Sequence, residues 1–372
     1  MAERSISSGV PESAGEMHDS ADEIAFWNLL PLEACHPILD AFDVVDAKAL
    51  RFQWRHQRVT VLAALAGGLA VLCAIWELGF GQLSPTAASV LFISEALALA
   101  STAALLGYGH CKRLKDKWLV NRHKAELYRL MRFEFVIHPD EWLGGRAPAA
   151  DWVRRRVGEV AALHGRPALE RSTERAIVPE SDGDTTDATS ATVVQIAEYY
   201  LEKRLNPQKE FLANRAQRNA LWDGWFVRHV TPVLLALSVL AAFTQLLINR
   251  PDVFTQLKAV FSGGHAETVK PSFRSVVFAT LGAASLPVVA AMIRTLRIAF
   301  EFSRNRSRFL AAHDALAQME VRLVHQLAVA QTSPPGTPER SRMLREVRTC
   351  EHLLRTEHQE WLRLMLEAEW FG

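Results

Sequence analysis

The chain carries stretches of bilayer length in which no side chain is charged, and this limits its fold more than any other feature. Residues 59–76, 230–249 and 275–293 contain no Asp, Glu, Lys or Arg. At 1.5 Å of rise per residue, a helix of about 20 residues crosses the roughly 30 Å of hydrocarbon in a membrane. A fourth stretch, 87–108, is interrupted by Glu95. On insertion scales a central carboxylate costs roughly 2.5 to 3.5 kcal/mol, and each Leu, Ile, Phe or Val returns about 0.3 to 0.6. Val90, Leu91, Phe92, Ile93, Leu97, Leu99, Leu105 and Leu106 therefore roughly offset it. Core helices of soluble proteins carry a polar stripe, and the three clean stretches have none. The expectation is an all-α membrane protein with four transmembrane helices in two hairpins, at about 59–78, 87–108, 230–249 and 275–293.

Charge sets the orientation. The 42 basic and 41 acidic side chains nearly balance, and 49% of the 372 residues are hydrophobic, which excludes a disordered polyelectrolyte and a generally basic nucleic-acid binder. Arg51, Arg55 and Arg58 precede the first span, and Lys112, Arg113, Lys115 and Lys117 follow the second, whereas the loop 77–86 has no Lys or Arg. The second hairpin has Arg215, Arg218 and Arg228 before it and five arginines after it, against four basic residues in its loop. Both hairpins then start and end in the cytoplasm, as does each terminus. No apolar signal segment opens the chain. Trp54 and Trp76 bracket the first span and Trp222 and Trp225 precede the third, as expected at headgroup depth.

Outside the spans, residues 1–20 are polar and read as a disordered tail. A first half runs over 21–164, with short helices broken at Pro31 and Pro37 that feed a longer one into the membrane. The second span continues as a helix to about Val136, on the spacing of Leu114, Trp118, Ala125, Tyr128, Met131 and Phe135, and ends at His138 and Pro139. A helix follows from Asp151 to His164. Residues 165–192, rich in Pro, Ser, Thr and acids, form the linker. The second half, 193–372, opens with an amphipathic helix kinked at Pro207. It closes with a cytoplasmic helical hairpin over 294–371, whose stripes are Phe309, Ala312, Leu316, Met319, Leu323, Leu327 and Met343, Val347, Cys350, Leu354, Trp361, Leu364, the latter interrupted by Glu357. Its first arm extends the fourth span as a projecting stalk, of the kind that contacts other copies or a partner.

No phosphate loop, GxSxG elbow or HExxH helix is present, so an enzyme is the least favoured class. Cys35, Cys73, Cys111 and Cys350 form no CxxC pair, and His352 and His358 are badly phased for a shared metal; no metal or cofactor is expected. Three features remain as candidate sites. Glu95, an acid at membrane depth, either lines an aqueous path in an oligomer or hydrogen-bonds a neighbouring helix. Arg294, Arg297, Arg304, Arg306 and Arg308 form a juxtamembrane basic cluster, either a topology anchor or a site for anionic lipid or an acidic partner. Pro287 kinks the fourth span, as a gating hinge or simply to shape the bundle. Small residues four apart, such as Ala64 and Gly68, allow close helix approach.

Tyr200-Leu201-Glu202-Lys203-Arg204-Leu205-Asn206-Pro207-Gln208, followed by Phe211 and Arg215-Ala216, resembles the pre-membrane signature of the SLATT-like families. Trp118, Arg122, Ala125-Glu126 and Arg129 are similar to it in the first half, so the chain looks like two tandem copies. The resemblance implies a bacterial membrane effector of a conflict or antiphage system, pore-forming and homo-oligomeric. Its cytoplasmic partner would be a nucleotide-synthesising or nucleotide-sensing protein, with no direct contact to nucleic acid. The competing expectations are a membrane-anchored helical scaffold that recruits soluble partners and, less favoured, a small ion-coupled transporter using Glu95.

Overall fold

The computed structural model describes residues 32–80, 84–138, 146–174, 190–225, 229–249, 273–300, 302–333 and 338–367. Secondary structure among them is entirely helical. The principal helices are α1 (Leu32–Phe80), α2 (Pro85–Cys111), α3 (Leu114–Ile137), α4 (Arg146–Ala161), α5 (Gly165–Glu174), α6 (Ser190–Tyr200), α7 (Asn206–Trp225), α8 (Thr231–Asn249), α9 (Phe273–Phe300), α10 (Phe302–Thr332) and α11 (Pro338–Glu367). They divide into two compact units. One takes Met1–Arg55, Arg113–Gln217 and Arg306–Gly372, and the other His56–Lys112 and Arg218–Asn305, so each draws on both halves of the sequence.

The first unit is built around α3. Every residue of that helix from Tyr128 to Ile137 is buried, which marks a central helix rather than an amphipathic one. Helices α4, α5, α6 and α11 surround it. A helix can be buried on all sides only if its polar residues find partners inside. Arg132 donates to the Tyr199 hydroxyl at 2.8 Å, and Glu134 accepts from Arg156 at 2.5 Å and Arg355 at 2.9 Å. On the flanking helices, Trp152 and Val153 of α4 and Ile196, Ala197 and Tyr200 of α6 complete the core.

Several boundaries differ from the sequence expectation. Helix α1 is a single element that runs through Pro37, at the cost of one backbone hydrogen bond, while Pro31 lies outside the described residues. Helices α2 and α3 are not continuous: Arg113 adopts a left-handed conformation (φ 47°, ψ 49°) between them, which ends one helix and starts the next. Helix α5 occupies the first ten residues of the expected linker, entered through Gly165 at φ 71°, and buries Ala168 and Leu169. The linker residues 175–189, like the tail 1–20, lie outside the described residues. At Pro207 the chain widens before it turns: residues Leu201–Leu205 form a π turn in which the Asn206 N–H bonds the Leu201 carbonyl. Pro207 has no N–H to offer and its ring crowds the carbonyl four residues back, so an α-helical ladder cannot run through this point undisturbed.

Helices α10 and α11 are the expected hairpin, but they are not a free stalk. Leu316, Met319, Leu323 and Ala330 on one arm and Met343, Val347, Cys350 and Leu354 on the other are buried in the core that also holds α3 and α6.

In the second unit α8 packs on α9, and α9 runs antiparallel to the second part of α1. Trp76 donates its indole N–H to the Ser285 hydroxyl at 2.9 Å. Two glycines of α1 permit the approach. A Cβ on Gly68 would lie 2.0 Å from the Met292 sulfur, and one on Gly79 would lie 2.6 Å from both Leu281 methyls. Among the described residues, two helices are long and apolar enough to cross a membrane, Cys35–Phe80 and Pro85–Cys111. The described apolar stretches at the other two expected spans are shorter, Pro232–Ala241 and Thr280–Thr295. Helix α2 starts at Ser84, whose side chain accepts from the Ala87 N–H at 3.4 Å, with Pro85 in the first turn where no donor is needed.

Candidate functional site

The densest polar chemistry lies inside the first unit, where α3, α6, α10 and α11 meet. His123 of α3 and His358 of α11 are both buried, edge to edge, with ring centres 5.2 Å apart and planes within 10° of each other. Nδ1 of His123 lies 2.9 Å from Nε2 of His358. Such a bond needs one ring to donate and the other to accept, which a neutral or singly protonated pair can do and a doubly protonated pair cannot. The Trp361 ring centre lies 5.7 Å from that of His358, with planes 22° apart, and Trp361 meets Trp118 edge-on at 6.4 Å. Burial, with His358 close by, holds His123 down at about 3; burial chiefly holds His358 at about 4. Both are therefore neutral at physiological pH.

One turn along α3, Glu126 gathers the cations. Arg122 reaches its carboxylate, and Nη1 of Arg129 donates to both oxygens at 3.3 and 3.2 Å. Arg122 also contacts Asp46 of α1 at 3.2 Å. Burial would raise Glu126, but Arg122 and Arg129, aided by His358 and Arg204, outweigh it and hold the acid at about 2. Nε and Nη2 of Arg129 are buried without a hydrogen-bond partner among the described residues, and its guanidinium lies 5.6 Å from the Phe42 ring centre. On α11, Glu357 takes Arg308 of α10 through its carboxylate and, at 2.7 Å, through its backbone carbonyl. Burial keeps that acid above its ordinary value in spite of Arg308.

A second knot lies on the α6 side. Arg204, in the π turn, pairs with Glu351 of α11 at 3.2 Å, both side chains under 5% exposed, and Tyr200 donates to the same carboxylate at 2.8 Å. Arg204 also lies 4.8 Å from the Phe133 ring centre. Burial and the neighbouring carboxylate push the Tyr200 phenol well above its usual range. Burial likewise pushes the Cys350 thiol up to about 12, which makes it inert. Chemically, the arrangement holds helices together through neutral histidines and paired charges. No described group of three or more His, Cys, Asp or Glu is arranged to hold a metal.

The residues singled out in the sequence fall elsewhere. Glu95 sits on α2, half-buried, with no ion pair or hydrogen bond to its side chain among the described residues. Arg294 is exposed on α9 and Arg306 on α10, while Arg308 pairs with Glu357 of α11; the side chains of Arg297 and Arg304 lie outside those described. Pro287 is exposed within α9, which runs through it. Of the thiols, Cys35, Cys73 and Cys350 are buried, and Cys111 is exposed beside an exposed His110. The sequence reading missed the histidine pair, whose members stand 235 residues apart. Glu357 was the one available signal, an acid breaking the apolar stripe of α11. Five residues of the family-like motifs, Arg122, Glu126, Arg129, Tyr200 and Arg204, build the buried network. No family model, curated protein or solved structure matches the chain.

Proposed function

We propose that the chain is a multi-pass protein of the bacterial inner membrane, with four spans in two hairpins and both termini cytoplasmic. On this reading it is a membrane effector of a conflict or antiphage system, built of two tandem SLATT-like copies. It oligomerises and permeabilises the membrane on a cytoplasmic signal. The observation that carries the proposal is α2. It is 27 residues long and apolar, and its own chain covers only 6% of its most apolar window. Val90, Phe92, Ile93, Leu97 and Leu99 are all more than half exposed. In water, each such side chain left uncovered forgoes about 1.5 to 3 kcal/mol of burial, whereas lipid or a second copy covers it. Four spans enclose too little space for a hydrated path, so conduction requires several copies, with Glu95 available to line it. The first unit is the receiving body, and its partner is a nucleotide-sensing or nucleotide-synthesising protein.

Two measurements test this. The chain should stay with the membrane pellet through an alkaline carbonate wash. Purified protein in liposomes should release a small dye when its partner or signal is supplied, and vesicles that stay sealed under activating conditions reject the effector reading.

A scaffold reading is favoured by one observation, that the first unit has a core of its own. Scrambling the residues of α2 while keeping their hydrophobicity separates the two: a scaffold keeps its activity and an effector loses it.

A further inference from the structure

Within the first unit, α1 and α3 lie antiparallel, with their register fixed by Asp46 against Arg122 at 3.2 Å and by the Lys117 ammonium 5.8 Å from the Phe52 ring centre. The unit ends on α1 at Arg55 and resumes at Arg113. Four basic side chains therefore gather where the chain leaves and re-enters it: Arg51 and Arg55 from α1, Arg113 and Lys117 from α3 and its cap. All four are exposed, and none has an acidic partner among the described residues. Residues 47–58 and 105–115 contain no acid, and Asp116 lies in the first turn of α3, where the helix dipole favours it. Trp54, beside Arg55, leaves 43% of its surface uncovered. In sequence, the charge-free stretch of α1 opens four residues after Arg55, and α2 closes two residues before Arg113.

We infer that Arg51, Arg55, Arg113 and Lys117 form a docking rim for the phosphates of anionic phospholipid headgroups. The inference rests on the membrane reading above and goes beyond it, because it assigns a lipid preference to named side chains distinct from the arginines of α9 and α10. Unpaired cations concentrated in an acid-free zone, with an exposed indole beside them, complement an anionic headgroup layer. A basic side chain near such a layer is worth about a fivefold change in partition, diminished by salt.

The test uses the full chain in a neutral detergent, titrated with mixed micelles carrying either phosphatidylglycerol or phosphatidylcholine. The expected result is a preference for phosphatidylglycerol of about tenfold or more at low salt. It should fall to near unity in the variant Arg51→Gln, Arg55→Gln, Arg113→Gln, Lys117→Gln. The pair Arg51→Gln, Arg55→Gln alone should lose part of it, which keeps the test decisive if the fourfold variant folds poorly. A control pair remote from the rim, Arg154→Gln and Arg322→Gln, should lose none. Equal binding of the two lipids, or full preference in the fourfold variant, overturns the inference. Equally potent competition by glycerol phosphate would make this a free-phosphate site, and tighter binding of duplex DNA through the same four residues would make it a nucleic-acid surface; either overturns it. A chain that sediments with carbonate-washed membranes yet shows no lipid preference sinks this inference alone, whereas one released into the wash sinks the membrane reading beneath it.

Discussion

Mild acid should loosen α11 from α3 through the histidine pair. In the folded protein His123 and His358 are held at about 3 and about 4, while in an opened chain each returns to about 6.5. A folded value below the unfolded one means that the open state takes up protons first as pH falls. The pair's contribution is therefore complete above about pH 6.5 and is lost progressively from there down to the folded values. At pH 5 the solution is about 1.5 units below the open-state value of each ring, which is worth about 2 kcal/mol per ring, or about 4 kcal/mol for the pair. That multiplies the population of opened states by about 10³. Glu126 does not confuse this window, since its stabilisation, carried by a depressed value of about 2, disappears only below the ordinary carboxylate range. The assay is amide hydrogen exchange of α3 and α11 in the full chain between pH 7.5 and 5, corrected for intrinsic exchange. Replacing both rings by Phe keeps two buried aromatic side chains and removes the titration, so that variant should show a flat opening free energy over the same range. If the unaltered chain is flat as well, or the Phe pair falls just as steeply, the buried pair is not what responds to acid.

Other substitutions probe the remaining contacts. Glu351→Ala removes the carboxylate that Arg204 and Tyr200 share and should cost about 3 to 5 kcal/mol, seen as a lowered thermal midpoint of the first unit; Glu351→Gln should cost less. Gly79→Val drives a side chain into Leu281 and should loosen α1 from α9, with a reduced yield of a disulfide engineered between positions 76 and 285; adding Leu281→Ala should restore part of that yield. Glu95→Gln should leave the oligomer intact by native mass spectrometry and change the ion selectivity of any leak, and an unchanged leak would show that the acid lines no path.

The helical class and the two helices long and apolar enough to cross a membrane were legible because each rests on local signals: long apolar runs and three-four spacing. The interior of the first unit was not legible for the same reason. Arg132 and Glu134 are buried because Tyr199, Arg156 and Arg355 arrive from distant segments to satisfy them, and no local pattern announces those partners. The break at Arg113 had no glycine or proline to announce it. Helix α5 hid in a stretch whose Pro and polar content suggested a linker, although Ala168 and Leu169 were there to be buried. Glu357 looked like an imperfection in a stripe, and it is the acid that Arg308 needs.

The long sequence separation of the histidine pair has a consequence during synthesis. At roughly 5 to 20 residues per second, a ribosome needs about 10 to 50 s to travel from His123 to His358, 235 codons later. For most of that interval α3 is out of the tunnel with Glu134 lacking Arg355, and Arg204 appears before the acid that neutralises it. A nascent or prematurely terminated chain thus displays an unfinished charged groove, a mark by which quality-control proteases could tell it from one that has received α11.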